Sequence, residues 1–133
     1  KYQKACFSDD TGLEVSALNN EPGVFSARYA GTGHSVDNID LLLANLIDQK
    51  DRKAQFKTIM TYFDENGRKF VFEGLVHGKI VLEKEGVEGF GYDPIFQPNG
   101  FKETFAQMSL FQKNEISHRG IALKKLLAHL TSR

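Results

Sequence analysis

The chain has a single cysteine, no surplus charge of either sign and no long apolar run. Each absence removes a class of protein. Cys6 alone can close no intramolecular disulfide and build no multi-cysteine metal site, which fits a reducing cytosol. The 17 basic and 17 acidic residues cancel, so long-range steering toward a nucleic-acid polymer is not expected and any phosphate site has to be a local cluster. No apolar stretch approaches the roughly 20 residues that span a bilayer, and no charged-then-apolar leader opens the chain. The expectation is a cytoplasmic protein without a membrane or nucleic-acid partner. What is present, 41% apolar and 26% charged residues in 133, suits one domain over residues 1–133 able to bury a core.

The chain opens Lys1-Tyr2-Gln3-Lys4, which reads as a strand already under way, so a segment upstream is expected. Ala5 to Ser8 is expected to deliver Asp9 and Asp10 to a strand end, with Leu13-Glu14-Val15 continuing or re-entering the sheet. Turn formers fill Asn19 to Gly23, and Gly31-Thr32-Gly33-His34 is a second flexible stretch. With Ser35 as cap and Asp37 at the positive end, the spacing of Ile39, Leu42, Leu43, Leu46 and Ile47 predicts a helix over 36–49. A hairpin follows, Phe56 to Phe63 and Lys69 to Val76 around Asn66-Gly67, and Lys79 to Glu83 reads as a further strand. Thr104 to Gln107 and Ser109 to Gln112 have capping-box spacing. Ser117 caps a last helix with an apolar stripe of Leu123, Leu126, Leu127 and Leu130, and with Lys124, Lys125 and Arg133 outside it. This order gives an α/β or α+β domain with a mixed, partly antiparallel sheet.

Two stretches hold more than a core requires. Gly89-Phe90-Gly91-Tyr92-Asp93-Pro94-Ile95-Phe96 places aromatic faces on a flexible backbone, which suits a flat base. Phe90 or Tyr92 can stack there, and Asp93 before Pro94 is expected to be held away from helical geometry with its carboxylate free to accept hydrogen bonds. An aromatic loop covering the core is the plain alternative. Lys113-Asn114-Glu115-Ile116-Ser117-His118-Arg119-Gly120 brings Lys113, His118 and Arg119 to a helix start, where unpaired N–H groups favour anions or carbonyl oxygens. Solvated helix-end charges would explain them equally. Asp9-Asp10-Thr11-Gly12 is either a turn or a carboxylate pair for metal-assisted hydrolysis. On a strand, successive side chains point to opposite faces, so at most one of the two acids serves a given cleft. His34, His77 and His129 show no zinc spacing, and Arg28 suits a phosphate contact or a surface ion pair.

Taken in order, Ser8 to Val15, Pro22 to Gly31, Gly89 to Phe96 and Lys113 to Leu123 resemble the blocks of the Ham1-like inosine triphosphate pyrophosphatases. That family hydrolyses non-standard purine nucleoside triphosphates such as ITP, dITP and XTP to the monophosphate and pyrophosphate. The resemblance implies an elongated, two-lobed α/β fold, a homodimer and Mg²⁺. It further implies Asp10 as proton acceptor and metal ligand, with Thr11 standing where the family usually has a substrate-binding serine. Phe90, Gly91, Tyr92, Asp93, Lys113, His118 and Arg119 would hold the nucleotide. The family's opening Ser/Thr-x-Asn-x-x-Lys phosphate loop, and the helix after it with an acid near the metal, have no counterpart here. An active pyrophosphatase, a nucleotide-binding chain without turnover and a noncatalytic interaction domain are therefore the readings to separate.

Overall fold

Every second residue from Ala54 to Tyr62 is buried, the period of a half-buried strand, and this run is the middle of the sheet. The computed structural model describes residues 6–132, so the expected strand start at Ala5, the segment before it and Arg133 lie outside the described residues. Strands β1 (Cys6–Val15), β2 (Glu21–Gly23), β3 (Lys53–Phe63), β4 (Lys69–Ile80) and β5 (Phe96–Pro98) form one sheet in the order β2-β1-β3-β4-β5. Helix α1 (Ser35–Asn45) follows β2, and α2 (Leu110–Ile116) and α3 (His118–Thr131) close the chain. The α/β class expected from the sequence holds. Among the described residues the four strand pairings are all antiparallel, more uniformly than the sequence pattern implied.

Several boundaries differ from the sequence expectation, each for a local reason. Asp9 and Asp10 lie inside β1, because the ladder with β3 runs unbroken from Cys6 to Val15 and pairs Asp9 with Met60 and Asp10 with Ile59. Lys79 and Ile80 belong to β4, and no separate strand covers 79–83. Helix α1 begins at Ser35 with His34 as cap, and it stops at Asn45, short of the expected 49. Arg52 takes the chain away there, its guanidinium donating to the carbonyls of Leu46 (2.9 Å), Ile80 (2.7 Å) and Val81 (2.8 Å). Ile47 is consequently exposed, while Ile39, Leu42 and Leu46 are buried. The hairpin turn is tied by the Asp64 carboxylate, which accepts from the N–H groups of Asn66 and Arg68.

The core follows from the inward face of the sheet. Leu13, Val15, Phe56, Val76 and Ile80 pack with Leu42, Leu46, Ile95, Phe96 and Phe105, and each such side chain contributes about 1.5 to 3 kcal/mol by leaving water. A second cluster joins Met60 and Tyr62 to Ala122 and Leu126 of α3. The inward face of α3 is thus His118, Ala122 and Leu126, whereas Leu123, Leu127 and Leu130 of the expected stripe are between a third and a half exposed. Gly74 explains this: a Cβ there would collide with the His118 carbonyl and the Ala122 amide, so the α3 backbone rests directly on β4. At that separation only a small side chain fits at 122. Among the described residues no helix is long and apolar enough to cross a membrane.

Candidate functional site

The segment after β4 is folded around one carboxylate. Asp93, almost wholly buried in a 3-10 turn (Asp93–Ile95), accepts from the Phe90 amide at 3.1 Å and from the Lys113 ammonium of α2. Gly89, at φ 77°, lies so close to this carboxylate that a Cβ would strike it. The result is a fixed loop whose Phe90 ring stands 72% exposed, backed by the Lys113 ammonium 4.5 Å from its centroid. An aromatic face held in that position is open to a flat partner.

Two further caps set the opposite wall. Ser109 Oγ accepts from the Gln112 amide and Ser117 Oγ from the Gly120 amide, each at 3.1 Å, so α2 and α3 both start where the sequence spacing placed them. Ser117 ends one helix and opens the next, which turns Lys113, His118 and Arg119 toward the same space. Tyr92 points the other way and ties the loop to the wall near β2: its hydroxyl donates to the Ser26 carbonyl at 2.7 Å. Burial, with Tyr29 nearby, raises the Tyr92 phenol well above its ordinary value. Ser26 Oγ in turn accepts from the Leu13 amide, and Asn38 of α1 bridges the Ala27 carbonyl and the Ala30 amide.

His118 is held far from its ordinary titration range. Its ring stacks on Phe56, with centroids 4.5 Å apart and planes 16° from parallel, and its buried Nδ1 has no hydrogen-bond partner among the described residues. Burial, then the charges of Lys113 and Arg119, push its pKa down to about 4. The imidazole is neutral at pH 7, with one nitrogen free to donate and one to accept. An unfolded chain takes up this proton near pH 6.5 and the folded one only near 4, so the unfolded state binds more protons between those values. Stability is therefore expected to fall as pH drops from about 6.5 to 4, read as a declining urea midpoint, and His118→Gln should flatten that decline. A variant with the parent's pH slope would assign the effect to other groups.

Thr11, Phe90, Gly91, Tyr92, Asp93, Lys113, His118 and Arg119 all border one cavity of about 460 Å³ between the β1 end of the sheet, α1, the 89–93 loop and the starts of α2 and α3. Asp10 does not. It lies on the opposite face of β1, on a smaller hollow with Glu14, Lys57 and Ile59, because Thr11 takes the inward position and bonds Thr58 at 2.8 Å. Thr11 and Gly12 border both hollows. Asp9, weighed in sequence only as the partner of Asp10 in a carboxylate pair, is on the inward side and pairs with Arg119 at 2.9 Å. The cavity also takes in Ser26, Asn38 and Phe56, for which only the Ser26 to Tyr29 loop carried any signal in sequence. Arg28 and His34 are exposed, His77 is exposed on β4, and His129 packs against Phe70 and Phe72.

Chemically, the cavity offers an aromatic face, a neutral imidazole and two cations whose charges are met by two acids. Such a set holds a flat heterocycle by its faces and reads its edge by donated hydrogen bonds. For a metal the supply is thin: among the described residues no group of three or more His, Cys, Asp or Glu side chains could hold an ion. Glu14 is engaged by Gln55 (2.6 Å) and Lys57 (3.7 Å), which leaves Asp10 as the carboxylate of that hollow open to solvent.

Comparison with known proteins adds a family. The family model described as Ham1 family matches residues 1–129. A dITP/XTP pyrophosphatase of Flavobacterium psychrophilum is 54% identical over 128 residues, covering 96% of this chain and 67% of that protein. One from Flavobacterium johnsoniae is 50% identical over 133 residues, covering 99% and 69%. Among solved structures, the Staphylococcus aureus Ham1 protein superposes with a TM-score of 0.95 at 45% identity, over 98% of this chain and 68% of that one. A HAM1 protein from Coxiella burnetii gives 0.92 at 39% identity, again over 98% and 68%. The chain spans about two thirds of the length of these relatives.

Proposed function

Because the chain belongs to the Ham1 family, we propose that it hydrolyses non-canonical purine nucleoside triphosphates such as dITP, XTP and ITP to the monophosphate and pyrophosphate. The observation that carries this reading is convergence: residues from a strand, a glycine-bearing loop and two helix starts, far apart in sequence, border a single cavity. The purine lies against the exposed ring of Phe90 and not against Tyr92, which is buried, and His118 and Arg119 donate to the carbonyl at C6. Adenine presents an amino group there, so donor would face donor, a mismatch that discriminates by about 10⁴ or more when buried. That Thr11 and Gly12 border both hollows supports a path for the phosphates from the base cavity toward Asp10. Asp10 takes a proton from the water that attacks the α-phosphorus, and the bond to the bridging oxygen breaks to release pyrophosphate.

The reading carries a divalent cation, Mg²⁺, with it. One carboxylate fits that ion when substrate phosphates and waters complete its shell, and the ion would neutralise charge on the departing pyrophosphate. A homodimer in the cytoplasm completes the proposal.

The test is incubation of the full chain with ITP, dITP, XTP and ATP in Mg²⁺ buffer, resolving products by chromatography. Inosine monophosphate and pyrophosphate from ITP, with ATP turned over far more slowly, are expected. A melting shift with inosine monophosphate but no product would make the chain a nucleotide binder without turnover. The absence of both product and shift would sink the nucleotide reading.

A further inference from the structure

Resting on that nucleotide reading, we propose that Asp9 is the positioning residue of the base site, orienting Arg119 so that its guanidinium reads the purine carbonyl and not a phosphate. Strand alternation places Asp9 on the same face of β1 as Thr11 and Leu13, the side turned to the cavity and α3, whereas Asp10 faces away. Arg119 borders the cavity and gives Nη2 to Asp9 Oδ2 at 2.9 Å. The other acid at that end, Asp93, is taken up by Lys113, so Asp9 is the carboxylate that meets the charge of Arg119.

An arginine whose side chain is 52% exposed loses much rotamer freedom when it binds anything, and unpaired it would take a phosphate oxygen as readily as a carbonyl. Anchored through Nη2, the planar fork keeps its remaining N–H groups in one orientation. The carboxylate also offsets the positive charge, which lowers the pull on phosphate while leaving the donors in place. Arg119 thereby acts as a reader of a neutral base edge.

The sign of the effect separates positioning from charge. Deleting an acid near an anionic ligand tightens binding by Coulomb's law alone, whatever the base. Titration calorimetry with the full chain would compare inosine monophosphate with purine riboside monophosphate, which carries hydrogen in place of the C6 carbonyl. Asp9→Asn is expected to weaken inosine monophosphate about fivefold and to leave the second nucleotide unchanged or tighter. Asp9→Glu should recover part of the loss, and in an Arg119→Ala background Asp9→Asn should weaken inosine monophosphate no further. Equal affinity of parent and Asp9→Asn for inosine monophosphate, or an equal change for both nucleotides, overturns the proposal and leaves the functional reading standing. A parent that binds neither nucleotide overturns both.

Discussion

Asp93→Asn is expected to cost the fold about 3 to 5 kcal/mol, the penalty for leaving one member of a buried ion pair without its partner. The Lys113 ammonium is only 10% exposed and the Asp93 carboxylate 4%, so water cannot replace the lost charge. The amide of asparagine is almost the same shape, which makes the effect electrostatic and not a matter of packing. Urea denaturation should show it as a lower midpoint at unchanged slope. A second variant separates stability from function. Adding Lys113→Met to Asp93→Asn removes the orphaned charge and should return much of the stability, because an apolar side chain tolerates that site better than an unpaired ion. Affinity for inosine monophosphate should not return, since the ammonium behind Phe90 is gone. A single variant as stable as the parent would mean that the pair is not buried in solution.

Asp10→Asn is expected to do the reverse, lowering ITP hydrolysis by about 100-fold or more with little change in stability. Asp10 is exposed on the far side of β1 from the base cavity, so neither the core nor the grip on the base depends on it. The melting temperature and the affinity for inosine monophosphate should match the parent's. If this variant hydrolysed ITP at the parent rate, Asp10 would not be the proton acceptor. If it lost inosine monophosphate binding, the two hollows would not divide the nucleotide as proposed.

These two residues also show how far the sequence could be read. His118 and Arg119 were legible as a pair because a capping serine fixes where a helix starts, whereas Lys113, expected at that same start, sits in the last turn of α2. The 89–93 loop was legible by composition, but not the inward turn of Asp93 that locks it, which depends on a lysine twenty residues away. Asp9 and Asp10 looked alike. Only the register against Met60 and Ile59 divides them between the two faces of the sheet, and register is set by β3, not by the dipeptide. The leucines of α3 misled for a related reason: helical spacing shows that a stripe exists, while Gly74 on another strand decides which stripe can approach. The helix boundary at Asn45 was hidden likewise, because Arg52 and the carbonyls it gathers are contacts formed only in the fold.

The seat of α3 on Gly74 reaches beyond packing. Where main chain lies on main chain, the location of His118 and Arg119 is set by peptide geometry, which does not vary with residue type. Substitutions among the neighbouring apolar side chains can then drift, trading a methyl group here for one there, while the two donors keep their address.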